Sequence, residues 1–254
     1  MNDFTDFTLE NYKILLKLCK KNGYKFIGYN DNIMLDEKQI LLRHDVDYSM
    51  RRAVKLAEIE SEEEIKSTYF IFSHSEGYNL YETATSQMVK RIISLGHNIG
   101  LHVDYGFIRM ILKDNSSAEE IVRKEIDEIQ KIYGVNVTAC SFHQPEYQNV
   151  LNLCNMKFAE VYNAYSDYIL KHFKYCSDSN GYWRFDRLED VIKTGNYKKI
   201  QILLHPVWWT ELISSPAERI YNYYTDEAKL KYLMYCDDMK RCERINIGED
   251  KIIL

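Results

Sequence analysis

Short, almost wholly apolar runs alternate along this chain with longer stretches in which apolar residues recur every three or four positions. The short runs are Ile40-Leu41-Leu42, Tyr69-Phe70-Ile71-Phe72, Ile99-Gly100-Leu101, Cys140-Ser141-Phe142 and Ile202-Leu203-Leu204. Runs of this length between turn signals read as parallel strands covered on both faces. The longer stretches read as helices. One covers 8–22, with Leu9, Tyr12, Leu15, Leu16 and Cys19 on one face and Gly23 as its stop. Another follows Ser49 and carries Ala53, Leu56, Ala57 and Glu60, and a third covers roughly 80–95 and closes at Gly96. The clearest is 117–133, where Ser117 and Glu120 form a capping-box pattern and Gly134 ends the helix, with a strand following at 137–142. Beyond Pro145 the pattern weakens: 159–162 and 181–185 are candidate short strands, 188–193 a short helix, and 216–242 a helix opened by Pro216. Strands alternating with helices predict βα units around a mainly parallel sheet, six or seven of them in this count.

A chain of 254 residues suits a single α/β barrel. One domain is expected over 1–254, with its motif-bearing core at about 38–210, a lead-in helix in 1–37 and a helical segment in 211–254. Net charge is −5 with Lys and Arg dispersed among Asp and Glu, which argues against the clustered basic face of a nucleic-acid binder. No segment approaches the roughly 18 apolar residues of a membrane span, and the first residues lack the basic and apolar regions of a secretory signal. A cytoplasmic location is therefore expected. The six cysteines contain no C-x-x-C pair and read as reduced thiols. The 21 tyrosines fit a carbohydrate site, but equally a composition rich in Lys, Asn and Ile.

Five of the seven histidines stand at or just past the ends of the apolar runs: His44, His74, His102, His143 and His205. In barrels and open sheets of parallel strands, chemistry is assembled at those carboxyl ends. His44-Asp45-Val46-Asp47 puts two carboxylates, two residues apart, at one strand mouth. Close carboxylates tend to divide roles, one binding a cation and the other keeping a lone pair for a proton. His102, with Asp104 two residues on, adds the imidazole and carboxylate usual at a catalytic zinc or similar ion. His205-Pro206 offers an imidazole across the pocket, titrating near neutral pH and placed to protonate a leaving group. Of Trp208 and Trp209, one is expected to be buried against the terminal helix and the other to offer an apolar face to a sugar.

The order Arg43-His44-Asp45-Val46-Asp47, Gly96-His97-Asn98-Ile99-Gly100-Leu101-His102, Ser141-Phe142-His143-Gln144-Pro145 and Leu203-Leu204-His205-Pro206 resembles the polysaccharide deacetylase family, also called NodB-homology or carbohydrate esterase family 4. It most resembles the deacetylase-like proteins of O-antigen and capsule gene clusters. The resemblance implies a distorted (β/α)7 TIM-like barrel that hydrolyses an N-acetyl or related acyl group on a sugar, with a divalent metal, zinc first among candidates. It implies Asp45 as the general base, Asp47 and His102 as metal ligands, and His205 as the acid that protonates the departing amine. The family's second ligand histidine falls at Gly106 here, so another ligand is needed: His143 first, Asp104 next. His143 is alternatively a tether for Asp45 or a substrate contact. Arg43 or Arg184 would replace the family arginine that steadies the catalytic carboxylate. Trp208, Arg184 and Asp104 are the candidate substrate contacts, His44 and His97 are expected to be structural, and His74 is a candidate lining residue. Two further readings keep the fold: a metal-free hydrolase of cyclic amides or imides, and an inactive sugar-binding barrel.

Overall fold

The computed structural model describes residues 4–112 and 117–252. Its nine strands, in chain order, are β1 (Lys25–Ile27), β2 (Gln39–Val46), β3 (Thr68–Ile71), β4 (Asn98–Val103), β5 (Ala139–Phe142), β6 (Lys157–Phe158), β7 (Val161–Asn163), β8 (Lys174–Ser177) and β9 (Lys199–Leu204). The helices are α1 (Leu9–Lys21), α2 (Met50–Glu62), α3 (Thr83–Ser94), α4 (Tyr105–Ile111), α5 (Ala118–Tyr133), α6 (Asp167–His172), α7 (Leu188–Thr194) and α8 (Pro216–Arg241). Seven parallel strands lie in the order β7-β5-β4-β3-β2-β9-β8. This is the curled sheet of a distorted (β/α)7 barrel, left open because β7 and β8 are not paired among the described residues. β6 adds to β7 as an antiparallel hairpin, and β1 lies along the first half of β2 on the side that β3 takes over.

Strand β2 is buried along all eight residues, so its two-residue period sorts side chains between two interiors. Ile40, Leu42, His44 and Val46 face the helices, and Leu41, Arg43 and Asp45 face the barrel axis. The outward group joins two large apolar layers, one under α2, α3 and α5 and one under α1 and α7. The barrel interior is small, built on Tyr29, Leu41, Phe70, Ala139, Ala164, Ile169 and Phe173. Gly100 on β4 makes room there, since a Cβ at that position would lie 2.4 Å from the Phe70 ring and 3.0 Å from the Ala139 carbonyl oxygen.

The periodic helices stand where their spacing placed them. α5 carries its capping box between Ser117 and Glu120 and ends on Gly134 in the left-handed conformation. α8 is opened by Pro216 and a second box between Ser215 and Glu218. Four short elements show no period: β1, β6, α4 and α6 are too brief for one. The candidate strand over 181–185 is not one. A tight turn at Ser179–Gly181 followed by a loop occupies that stretch, and the strand lies earlier, at β8. Its Lys174-Tyr175-Cys176-Ser177 sequence has only one aliphatic-like position, so hydrophobicity did not mark it.

Glu60 on α2 is fully buried and holds five groups from four other parts of the fold. Tyr12 of α1 donates to its Oε1, and His44 Nε2 of β2 lies 2.5 Å from the same oxygen. Ser67 donates to Oε2 at 2.6 Å and Tyr69 at 3.1 Å, while His97 Nδ1 lies 3.4 Å away. Burial alone would push the Glu60 carboxyl up, but the His44 imidazole beside it wins and holds it below the usual range. His44 and His97 are thus packing and hydrogen-bonding residues on the outer face, with His44 stacked on Tyr69 at 4.3 Å.

Glu60→Gln is expected to destabilise the fold by about 3 kcal/mol at neutral pH, the scale for breaking a buried ion pair from one side. A lowered carboxyl pKa contributes stability above the ordinary glutamate value of about 4.3 and loses it as pH falls through the lowered one. Denaturant melts of wild type and variant should therefore converge below about pH 4. Gly100→Ala, which overpacks the barrel interior, should cost about 1–3 kcal/mol in the same melts.

Candidate active site

The carboxyl ends of β2, β4, β5, β8 and β9 converge, and each delivers one or two polar side chains. Asp47 lies one residue past β2, where its amide donates to the Asp45 carbonyl at 3.1 Å and turns the chain. Its Oδ1 stands 3.1 Å from His102 Nε2 of β4 and 3.4 Å from His143 Nδ1 just past β5. These three ligand-type atoms all lie within 4.8 Å of one another. Burial would push the Asp47 carboxyl up, yet His102, His143 and His205 outweigh it and hold it far below the usual carboxylate range. His143 is pushed the other way: burial lowers it, but the Asp47 carboxylate prevails and raises it.

This donor set fits a divalent ion. Tetrahedral ligands about 2.0–2.1 Å from an ion stand roughly 3.4 Å apart, close to the two distances above. Asp47 Oδ1 is buried and makes no hydrogen bond among the described residues, so the imidazoles share a common space with it rather than satisfying it. His102 Nδ1 lies 3.2 Å from the Ser141 carbonyl, which fixes the proton there and leaves the Nε2 lone pair facing Asp47.

Asp45 sits deeper, on β2 itself, and is 2 % exposed. Its Oδ2 accepts from Ser141 Oγ at 2.9 Å and lies 3.7 Å from Arg43 Nη2 and 3.9 Å from His102 Nδ1. Its Oδ1 has no hydrogen-bond partner among the described residues. Arg43 is fully buried, with its guanidinium 4.4 Å from the Tyr165 ring centre. Of the two arginines considered as the countercharge to Asp45, Arg43 is the one beside it. Arg184 is 40 % exposed at its side chain and pairs with Glu146 at 3.0 Å, apart from this group.

His205 approaches from β9. Its Nε2 lies 3.9 Å from Asp47 Oδ2, and its Nδ1 lies 2.7 Å from Asp178 Oδ1. Burial would lower the imidazole, but Asp178 dominates and pushes it up to about 9. Asp178 also accepts the His205 amide at 2.9 and 3.0 Å and the Trp209 indole N–H at 2.9 Å, so one buried carboxylate holds both the ring and the backbone of His205. Asp178 escaped the sequence reading, because the strand that it ends was placed several residues too late. Its signal was the polar residue directly after Tyr175-Cys176-Ser177, the same strand-end position that marked the histidines.

Other candidates lie elsewhere. Asp104 caps α4, accepting from the Gly106 and Phe107 amides at 3.0 and 3.2 Å and from Gln148 Nε2 at 2.8 Å, which engages its Oδ1 fully. It does not join Asp47, His102 and His143. Gly106 lies in the first turn of α4, where a Cβ would come 3.1 Å from that same Asp104 oxygen. His74 lies at the mouth against the Phe107 ring at 3.9 Å, with Glu125 at 3.2 Å, and is not in the ligand group. Trp209 is buried, 1 % exposed, whereas Trp208 is half-buried beside the mouth.

No protein-family model matches the chain, and no curated protein matches it. Solved structures do. A family 4 carbohydrate esterase from Bacillus anthracis is 18% identical, with 91% of this chain and 87% of that one covered and a TM-score of 0.41. The peptidoglycan deacetylase PdaC from Bacillus subtilis is 14% identical over 83% of this chain and 98% of that one, at a TM-score of 0.42. A family 4 pseudoenzyme, also from Bacillus anthracis, is 14% identical over 78% of this chain and 63% of that one, at 0.40. These three solved structures are thus a family 4 carbohydrate esterase, a peptidoglycan deacetylase and a family 4 pseudoenzyme.

Proposed function

We propose that this chain is a metal-dependent hydrolase that removes an N-acetyl or related acyl group from a sugar. The observation that carries the reading is the convergence of Asp47, His102 and His143 on one point, with Asp45 on one side and an Asp178-held His205 on the other. A buried carboxylate with an unpaired oxygen, together with an imidazole that Asp178 holds 3.9 Å from Asp47, suits proton transfer rather than binding alone. A role in surface-polysaccharide synthesis is part of the proposal and rests on the motif resemblance alone.

Asp47, His102 and His143 would hold the ion, with zinc the first candidate for two imidazoles and a carboxylate. When bound, it supplies Lewis-acid polarisation of the acyl carbonyl and a lowered pKa for water. The chain's own groups do the rest. Asp45 takes the proton of the attacking water on its free Oδ1, while Ser141 donates to Oδ2 and Arg43 stands beside it to keep the carboxylate in place. His205 carries a proton at neutral pH, since Asp178 raises it, and delivers that proton from Nε2 to the departing amine. Asp178 fixes the ring with Nδ1–H donated to it, so Nε2 is the nitrogen turned toward Asp47 and the site.

Metal analysis of the chain dialysed against micromolar zinc should find close to one ion per chain. Asp47→Ala, His102→Ala and His143→Ala should each weaken zinc by a hundredfold or more, and Asp104→Ala should leave it unchanged. Zinc retained in all three ligand variants would overturn the assignment. Asp45→Asn and His205→Asn should keep the metal yet lower acetate release from N-acetylated amino sugars by about 10²–10⁴-fold, the usual worth of a general base or acid. Equal turnover in wild type and Asp45→Asn would remove Asp45 from the chemistry.

A further inference from the structure

Among the described residues no hydroxyl or amide donates to the Asp47 carboxylate. It meets only imidazoles: His102, His143 and, at 3.9 Å, His205. A carboxylate that binds a metal is ordinarily held in place by a hydrogen bond from its surroundings. Here the hold comes through the backbone. The carbonyls of the three residues centred on Asp47 each accept a side-chain hydroxyl: Val46 from Tyr78 at 2.8 Å, Asp47 itself from Ser75 at 3.2 Å, and Tyr48 from Tyr223 at 3.1 Å.

Two of these hydroxyls belong to the loop 72–78 that follows β3, and the third to α8. Tyr78 Oη also accepts the Phe72 amide at 2.9 Å, so it joins the last residue of β2 to the first residue beyond β3, just where the chain turns at Asp47. Ser75 Oγ accepts the Gly77 amide at 2.9 Å, which leaves its proton for the Asp47 carbonyl. Tyr223 Oη lies 3.2 Å from the Gly77 carbonyl as well, so α8 fastens the loop and the Asp47 turn together. Only glycine fits at 77, because a Cβ there would stand 2.6 Å from the Tyr48 carbonyl oxygen.

The same loop begins against the other two ligand candidates. The centre of the Phe72 ring lies 4.5 Å from that of His102 and 5.2 Å from that of His143. Tyr133 makes a bond of the same kind, to the Leu80 carbonyl at 3.0 Å, in a place that holds no ligand. The hydroxyls of Tyr78, Ser75 and Tyr223 differ from it in falling on consecutive carbonyls around a carboxylate whose Oδ1 is buried and unbonded.

We infer that Tyr78, Ser75 and Tyr223 are positioning residues for Asp47: their hydroxyls fix the backbone on both sides of it and so hold its carboxylate against His102 and His143. The inference rests on the metal-site reading for the purpose of this clamp. It rests on the hydrogen bonds alone for the place of the carboxylate.

The test is zinc affinity, by competition with a chromophoric chelator, together with metal-free crystal structures of the full chain and its variants. Tyr78→Phe, Tyr223→Phe and Ser75→Ala each remove one hydroxyl and add no bulk. Each should weaken zinc by about 10–100-fold, the usual cost of losing a group that orients a metal ligand. Ser75→Thr, which keeps the hydroxyl, should bind zinc as the wild type does. Tyr133→Phe should lower the melting temperature and leave zinc affinity unchanged. In metal-free Tyr78→Phe, Asp47 Oδ1 should move by about 0.5 Å or more from its place 3.1 Å from His102 Nε2. If the wild type takes up no zinc while the carboxylate still moves in Tyr78→Phe, the positioning role stands and the metal reading falls. A carboxylate that keeps its place in both Tyr78→Phe and Tyr223→Phe would overturn the inference. So would a zinc-binding wild type whose affinity survives all three hydroxyl deletions, or a loss in Tyr133→Phe as large as that in Tyr78→Phe.

Discussion

The structure depends on the two-residue period of one strand. β2 lies inside the curled sheet, paired with β9 on one side and with β1 and then β3 on the other, and it is buried along its whole length. Every side chain on it therefore has to find a partner in one of two interiors. The odd positions put Arg43 and Asp45 into the barrel, and the chain turns just past Val46 so that Asp47 joins them. The even positions send His44 to Glu60 among the helices. A slip of one residue would exchange these sets and strand both groups of charges.

The two clusters that result are opposites in how they are satisfied. Around Glu60, a single carboxylate accepts or pairs with five groups, and it links α1, α2, β2, β3 and the start of β4. A carboxylate bonded to so many elements rigidifies a fold, and of the groups around it His44 Nδ1 alone has no hydrogen bond among the described residues. On the other face, Asp45 Oδ1, Asp47 Oδ1 and the Arg43 nitrogens are buried without hydrogen bonds among the described residues. Buried groups left open in this way carry a cost of about 1–3 kcal/mol each, and chains retain such a cost where chemistry or a ligand repays it. The contrast lies within one strand, between even positions anchored on Glu60 and odd positions that lead to the candidate site.

The arrangement also accounts for residues that look like site candidates but do other work. Asp104 spends its Oδ1 on capping α4 and on Gln148, and Gly106 sits within that cap, so a larger side chain there would crowd it. His143, one strand further along the sheet, reaches the same point in space. Asp178 serves from β8 as the residue that aligns His205, Trp209 and the backbone between them.

The sequence by itself determined the alternation of buried strands and amphipathic helices, since solvent and period leave few other arrangements for runs such as Ile40-Leu41-Leu42 and 117–133. It also placed Asp45, Asp47, His102, His143 and His205 at strand ends, where parallel topology brings residues together from distant positions. Other features were decided only by tertiary structure. β8 carries too little apolar pattern to be seen, so Asp178 had no strand end to mark it. Glu60 looked like one more helical residue, because a buried carboxylate differs from an exposed one only through what surrounds it. Whether Arg43 or Arg184 meets Asp45, and whether His143 or Asp104 meets Asp47, depended on distances across the barrel. No spacing along the chain encodes those distances.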